Sequence, residues 1–258
     1  MPEQITYELP LSERIRTFLR LEDLFEQMHH FSQHDGEWQN RAELSCLLDI
    51  LAISSRTALR NEITKEIERH TKCLVIFAKN PKVDREKLEQ SIAQLNQLNQ
   101  LNNTLLSSSG RIDQVLTQVD LLKCLAQRNS IPGGTCDFDL PAYHFWLNKP
   151  LDIRHSQIEA WTANLNPIRK AISLLLQFIR FSASPTQQLA SAGFYQQSLD
   201  TNFPVHLLRV SLQHDSNYFA EISGGKHRFT VRFMQPMEAE RAIQTNEDVH
   251  FTLNICQL

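Results

Sequence analysis

A short stretch near the end of the chain alternates basic and apolar residues in a way suited to binding an acidic partner. Residues 223–234 read SGGKHRFTVRFM. Side chains on a strand point alternately to opposite faces. One face then carries three apolar residues, Phe229, Val231 and Phe233. The other carries three basic residues, Lys226, Arg228 and Arg232. Guanidinium groups bind carboxylates through paired hydrogen bonds, so this row is a candidate anion site, with an ordinary solvated sheet face as the alternative.

Two further pairs of arginines have helical spacing. Arg16 and Arg20 stand four residues apart in LSERIRTFLR, which places them on one face of a predicted helix. Arg56 and Arg60 repeat that spacing further along the chain. Each pair alone is also typical of a solvated helix face. Sequence alone does not show whether these arginines meet the basic row.

A thiol nucleophile is one enzymatic alternative. Cys136, Asp139 and His144 are close in sequence and are the residue types that such catalysis uses. Cys136 alternates with polar residues on the same predicted strand face as Phe138, which favours a buried core position instead. No GxGxxG, GxxxxGK[ST] or GxSxG motif is present. We therefore expect no catalytic residues, no cofactor and no enzymatic activity.

A metal site is the second alternative. Glu26, His30 and His34 follow one another at four-residue spacing, so a helix would present them on one face. There is no HExxH motif, and His34 falls in the loop-like segment HDGE. A solvated helix end is the favoured interpretation, and no metal is expected.

Composition limits the classes of partner. The 258 residues carry a formal net charge of −3, which argues against nucleic-acid binding because that requires a broad basic surface. The five cysteines form no CxxC pair, as is typical of reduced thiols in a cytoplasmic protein. No apolar run approaches the ~18 residues of a membrane-spanning helix, so no direct membrane insertion is expected.

The hydrophobic period divides the chain into a large and a small part. Apolar residues recur at helical spacing over most of 11–185, including a helix from Asp84 to about Leu105 and a helical pattern near Pro167 that this proline should kink or divide. A short strand is expected over 136–140. Period-two alternation predicts strands at 4–9, 206–213, 227–234 and 249–256.

The predicted fold class is α+β. A mainly helical domain of residues 11–185 is interrupted near 130–141 by a strand contributed to the sheet. Residues 1–10 and 186–258 form a small antiparallel β domain.

Five segments together make the chain resemble the ZapD family of bacterial cell-division proteins. They read ELPLSERIRTFLRLE at 8–22, NSIPGGTCDFDLPAYHFWL at 129–147, QIEAWTANLNP at 157–167, GFYQ at 193–196 and ISGGKHRFTVRFM at 222–234. The similarity spans nearly the whole length and is lowest at 81–107 and over the last 24 residues.

This resemblance implies a non-enzymatic homodimer that binds the C-terminal tail of the tubulin-like protein FtsZ and bundles FtsZ filaments. It implies a cytoplasmic protein recruited to the mid-cell division site, where it promotes assembly of the Z-ring during septation. By position, the basic pocket for the tail would be formed by Arg16, Arg20, Arg56, His144, Arg228 and Arg232, with Lys226 at its rim. Asp120 departs from the pattern, since a basic residue is expected there; Lys123 on the next turn could compensate.

Overall fold

The computed structural model describes residues 4–56, 58–78, 93, 96–101, 103, 118–200, 204–238 and 240–257. The chain divides into two compact units. The first, the β unit, comprises residues 1–16 and 176–258; the second, the helical unit, comprises residues 17–175. The predicted α+β class is confirmed, with antiparallel sheets mostly in the C-terminal part of the chain.

All the helices described lie within residues 11–185, the range for which the apolar period predicts helices. In chain order over the described residues they are α1 (Glu13–Ser32), α2 (Glu37–Arg56), α3 (Leu59–Ala78), α4 (Asp120–Arg128), α5 (Pro141–Leu147), α6 (Leu151–Thr162) and α7 (Asn166–Phe181). Residues 96–101 are also helical, as predicted, whereas most of the helix expected from Asp84 lies outside the described residues.

Pro167 divides the last helical pattern in two. A short 3₁₀ turn, Ala163–Leu165, separates α6 from α7, and Pro167 is the second residue of α7. Proline is tolerated there because the first N–H groups of a helix have no intrahelical acceptor. The predicted division is confirmed.

Amphipathic stripes supply the core of the helical unit. On α1, Phe18, Leu21 and Phe25 are buried at spacings of three and four residues. On α7, Ile168 and Ile172 are buried with the same spacing. Residues spaced three and four apart lie on one face of a helix. The apolar face of α1 and that of α7 therefore pack into the core.

The strand predicted over 136–140 is wrong. Residues 131–139 form a series of turns in which Gly134 N–H donates to the Ile131 carbonyl and Cys136 N–H to the Gly133 carbonyl. Gly133 has a φ of +71°, which an extended strand does not allow. Phe138, expected on a packed face, is 83% exposed. The alternation covers only five residues, and the Pro-Gly-Gly segment just before it favours turns over a strand.

Eight strands among the described residues of the β unit form two antiparallel sheets. They are β1 (Gln4–Pro10), β2 (Thr186–Ala190), β3 (Phe194–Ser198), β4 (Val205–Gln213), β5 (Phe219–Gly224), β6 (Arg228–Gln235), β7 (Ile243–Gln244) and β8 (Val249–Gln257). One sheet has the order β1-β4-β8-β2 and the other β3-β6-β5, with β7 paired to β6. The N-terminal strand therefore joins the C-terminal ones, as predicted.

The two sheets pack face to face over an aromatic and aliphatic core. Phe229, Val231 and Phe233 from β6 are buried against residues of the other sheet. The ring of Phe233 lies 5.1 Å from that of Phe251 on β8, and Tyr195 on β3 contacts the same ring edge-on at 5.2 Å. Alternate residues of every long strand fill this space, which is the arrangement of a β-sandwich.

An ion-pair cluster lies on the other face of the first sheet. Glu8 on β1 is directly opposite Arg209 on β4, whose Nε donates to the Glu8 carboxylate at 2.8 Å. Arg180, near the end of α7, donates two hydrogen bonds to the same carboxylate at 2.9 Å. Burial raises the pKa of Glu8, but the hydrogen bonds and charges of the two arginines outweigh it and lower that pKa.

Candidate partner-binding surface

The alternation predicted for the basic stretch is confirmed on β6. Arg228 and Arg232 are exposed, and Phe229, Val231 and Phe233 between and beside them are buried. The two arginines stand four residues apart on one strand face, a separation of about 13 Å along the strand. Neither forms an ion pair with another described residue. Their guanidinium groups are therefore available to an external anion.

Lys226 lies outside this row. Residues 225–227 form the bend between β5 and β6, closed by a hydrogen bond from Gly225 N–H to the Arg228 carbonyl. The strand begins at Arg228, so the period-two alternation does not extend back to Lys226, and its predicted place on the strand face is wrong. Its side chain is exposed at the turn.

Neighbouring strands change the chemistry of the same sheet face. Arg232 is paired in register with Glu221 on β5 and with Phe194 on β3, while Arg228 is opposite Ser198. Directly opposed residues in antiparallel strands have Cβ atoms about 5 Å apart. The face is thus basic with one carboxylate and one exposed aromatic ring. Glu221 is not among the residues identified from sequence, although the alternation of FAEIS was an available signal.

On α1, Arg16 and Arg20 differ in their contacts with neighbouring residues. Arg16 Nε donates to the Glu13 carboxylate at 3.1 Å, and its terminal nitrogen lies 3.4 Å from the Pro10 carbonyl oxygen. Arg20, one turn further, is exposed and forms no ion pair with the part of the chain that is described. Glu13, three positions before Arg16, therefore partly neutralises this pair.

Arg56 is the last residue of α2, and its side chain lies outside the described part of the structure. Its predicted role is neither supported nor opposed by the geometry.

His144 lies on the exposed side of α5. Its Nδ1 is 3.0 Å from a carboxylate oxygen of Asp137, in the turn that precedes the helix. Asp137 is also 3.7 Å from Arg41 on α2. The imidazole is half exposed, so it is accessible to a ligand. A carboxylate ligand would compete with Asp137 for the same ring nitrogen.

Arg41 organises the surface around His144 and was not identified from sequence. It contacts the Glu37 carboxylate at 3.0 Å and donates to the Thr135 carbonyl at 3.2 Å. Its guanidinium carbon lies 5.0 Å from the centre of the Tyr143 ring. Burial raises the pKa of Tyr143 to about 12, so its hydroxyl stays neutral. Exposed aromatic rings cover this part of the helical unit: Trp38, Phe138 and Phe145.

Asp120, the departure from the family pattern, is the first residue of α4 and is exposed. A carboxylate is favourable there because it faces the positive end of the helix dipole. Lys123 in the next turn is exposed as well. The local structure therefore accounts for an acidic residue at this position without assigning it a ligand.

The structure brings the predicted residues together in two groups. Arg228 and Arg232 share a face of β6, and Arg16 and Arg20 share a helix. Arg16, Lys226, Arg228 and Arg232 belong to the β unit, whereas Arg20, Arg56 and His144 belong to the helical unit. A single pocket formed by all seven stays a prediction.

The structure does not bring together the residues of either alternative, the thiol site or the metal site. Cys136 Sγ is 3.5 Å from the Asp139 carboxylate, whereas His144 contacts Asp137, so the thiol and the imidazole have different partners. His34 Nδ1 lies 3.0 Å from the His30 carbonyl oxygen. Within the described ranges, no three His, Cys, Asp or Glu residues are arranged to hold a metal ion, and no helix is long and apolar enough to cross a bilayer.

Comparison with known proteins identifies relatives over the full length. Residues 19–232 match the model of the family described as ZapD, cell division protein. The chain is 41% identical over 258 residues to the cell division protein ZapD of Methylococcus capsulatus, with both chains covered completely. It is 37% identical over 254 residues to that of Azoarcus sp. and 38% identical over 259 residues to that of Escherichia coli, covering 98% and 99% of this chain and all of each relative.

Proposed function

The chain belongs to the ZapD family of cell-division proteins, and on that premise we propose that it binds the C-terminal tail of FtsZ and cross-links FtsZ filaments without catalysing a reaction. The observation that carries the proposal is the pair Arg228 and Arg232. Both are exposed on one strand face, and neither is neutralised by an ion pair among the described residues. Two arginines held by a rigid sheet suit a carboxylate-bearing peptide better than a mobile loop would.

The helical unit has two further candidate basic residues of its own, Arg20 and His144. Arg20 is exposed, and His144 offers a half-exposed ring whose present partner is a carboxylate. Several basic groups raise the association rate and the specificity for an acidic peptide more than they raise affinity. Each site should be weak, because a flexible tail loses conformational entropy when it binds.

Cross-linking follows from bivalency. A homodimer carries two tail sites and a filament presents many tails, so weak contacts combine into stable links through high effective concentration. In this proposal the protein acts in the cytoplasm at mid-cell, stabilises the Z-ring, and needs no cofactor or nucleic acid.

Charge reversal tests tail binding. We expect Arg228→Glu/Arg232→Glu to weaken binding of a fluorescent FtsZ tail peptide at least tenfold, measured by anisotropy at low salt, because each change replaces an attraction by a repulsion. Arg241→Glu makes the same charge change at an exposed residue of the β6–β7 loop and should bind normally. Unchanged binding by the double variant, with an unaltered fold by circular dichroism, would remove β6 from the site.

Mixed dimers test cross-linking separately. If the protein is a homodimer with two sites, an excess of the double variant should exchange into wild-type dimers and leave each with one site. Such dimers should still bind the tail peptide but lose the light-scattering increase that accompanies FtsZ bundling. Undiminished scattering at a tenfold excess, with subunit exchange verified by native mass spectrometry, would contradict cross-linking by the dimer while leaving tail binding intact.

A further inference from the structure

A small cavity opens between four helices of the helical unit. Its volume is about 290 Å³, and residues from α1, α2, α6 and α7 line it. Phe25, Met28 and Ile158 form the apolar part of the wall, while Glu43, Glu159 and Arg169 carry charge. Ligand cavities commonly measure about 300–1,000 Å³, so this one is sized for a small molecule rather than a peptide.

Glu43 is the distinctive group of the cavity wall. Only 4% of the residue is exposed, and its one hydrogen bond among the described residues is a long one, from Asn40 Nδ2 to Oε2 at 3.4 Å. The other carboxylate oxygen accepts nothing from the described residues. Burial raises the pKa of Glu43, opposed by the Asn40 hydrogen bond and by His155. Glu43 therefore has one oxygen in the cavity wall that could accept a hydrogen bond from a ligand.

The nearest buried cation is already engaged elsewhere. Arg154 donates from a terminal nitrogen to Asn40 Oδ1 at 2.6 Å, and no ion pair joins it to Glu43. Asn40 thus separates the two charges, with its oxygen toward the arginine and its nitrogen toward the glutamate. The free side of Glu43 is left for a ligand.

Charge and shape select the kind of ligand. The wall carries two carboxylates, one guanidinium and two imidazoles, and the feature that selects a ligand is the second oxygen of buried Glu43, which favours a cationic hydrogen-bond donor. Phe25, Met28 and Ile158 favour an apolar body next to that cation. Arg169, which forms no ion pair within the described residues, would repel a second positive charge.

We propose that this cavity binds a small primary monoamine, whose ammonium group donates to Glu43 and whose apolar body packs against Phe25, Met28 and Ile158. This site is independent of FtsZ-tail binding, and the residues that line it include none of those assigned to the tail.

The four methionines of the chain provide a reporter of ligand binding. They are Met1, Met28, Met234 and Met237, so Met28 is the one within the helical unit. In protein labelled with ¹³C at the methionine methyl groups, 2-phenylethylamine should shift the Met28 signal saturably and leave Met234 and Met237 in place. 2-Phenylethanol has the same body without the charge and should bind at least tenfold more weakly. A Met28→Leu sample assigns the signal.

Two isosteric variants locate the charge responsible. Glu43→Gln keeps the size of the side chain and should reduce the preference for the amine over the alcohol to less than twofold. Glu68→Gln makes the same change at an exposed residue of α3 that does not line the cavity, and should keep the full preference. If Glu43→Gln fails to fold, the comparison of amine and alcohol binding to the wild type still tests the proposal.

Three results would overturn the proposal. These are a Met28 signal that does not respond to the amine, equal affinity of the wild type for amine and alcohol, and an undiminished amine preference in folded Glu43→Gln. None of them bears on tail binding, which uses a different probe and different residues.

Discussion

The β unit and the helical unit differ in what they bury. Every buried charged or amide side chain among the described residues lies in the helical unit: Asn40, Glu43, Glu66, His70 and Arg154. The β unit buries only the hydroxyl groups of Ser211 and Thr245 and keeps its ion-pair cluster around Glu8 at the edge of the core. One unit is held mainly by apolar packing, whereas the other also depends on partners for buried polar groups.

The difference is functional as well as structural. In the β unit, the apolar core lies under a strand whose outer face carries the exposed Arg228 and Arg232. In the helical unit, the buried polar groups include Glu43, the centre of the proposed amine site. His70 is another buried polar group of this unit, and burial lowers its pKa against the opposing effect of Glu66.

The largest effect is expected from opening the apolar core of the β unit. Phe233 is fully buried and contacts Phe251, so Phe233→Ala should lower the free energy of unfolding by about 4 kcal/mol. Phe181→Ala makes the same change at a residue of that unit that is 83% exposed, and should cost less than about 0.5 kcal/mol. Urea unfolding followed by circular dichroism measures both. Similar losses for the two variants would contradict a core built by packing.

A smaller effect is expected from the polar network of the helical unit. Asn40→Ala removes the acceptor of Arg154 and the donor to Glu43, leaving both groups buried without that partner. We expect a loss of about 3 kcal/mol in urea unfolding. Asn61→Ala on the exposed side of α3 is the matched control and should be close to neutral. A neutral Asn40→Ala would show that the network contributes no net stability.

The smallest of the three effects is expected at the ion-pair cluster. Glu8→Gln should cost about 2 kcal/mol at pH 7, because hydrogen bonds to charged partners are worth about 1.5–3 kcal/mol. The arginines outweigh the opposing effect of burial and lower the Glu8 pKa below its ordinary value of 4.5. The folded protein therefore binds fewer protons than the unfolded chain. Its extra stability is complete above about pH 4.5 and is lost as pH falls through the folded pKa.

Because folding lowers the pKa of Glu8, the pH dependence of stability provides a second test of the ion-pair cluster. Between pH 5 and 3 the unfolding free energy of the wild type should fall more steeply than that of Glu8→Gln, so the two curves should converge. Glu221→Gln, at an exposed residue of β5, should follow the wild type. Parallel curves for wild type and Glu8→Gln would show that the Glu8 carboxylate is not stabilised by folding.

Long periodic segments were predictable from sequence, and short edge elements were not. β6 and β8 alternate clearly because each lies between two other strands and buries mainly one face, whereas β4 buries consecutive residues such as Leu207 and Leu208. β2, β3, β5 and β7 lie outside the strands that the alternation predicts. β2, β3 and β5 are edge strands, where exposure permits polar residues such as the glutamines of TQQLA and the alternation weakens.

For the candidate surface, the sequence predicted which basic residues are exposed, but not which side chains lie beside them. The exposure of Arg228 and Arg232 follows from period two, but the carboxylate opposite Arg232 depends on which strand pairs with β6. The pairing of His144 with Asp137 depends on a turn that sequence reasoning took for a strand. Glu43 has no sequence signal, because a glutamate in a helix is ordinarily solvated.

By itself, the sequence determined the α+β class, the division of the last helices near Pro167, the two faces of β6 and membership of a cell-division family. These depend on local periodicity, on proline's missing N–H and on residue identity, which are properties of contiguous chain. Tertiary structure alone decided that Glu8 binds two arginines distant in sequence, that Cys136 lies in a turn, and that Glu43 lines a cavity. Those outcomes depend on which distant groups meet and how much water is excluded there, and no local pattern encodes either.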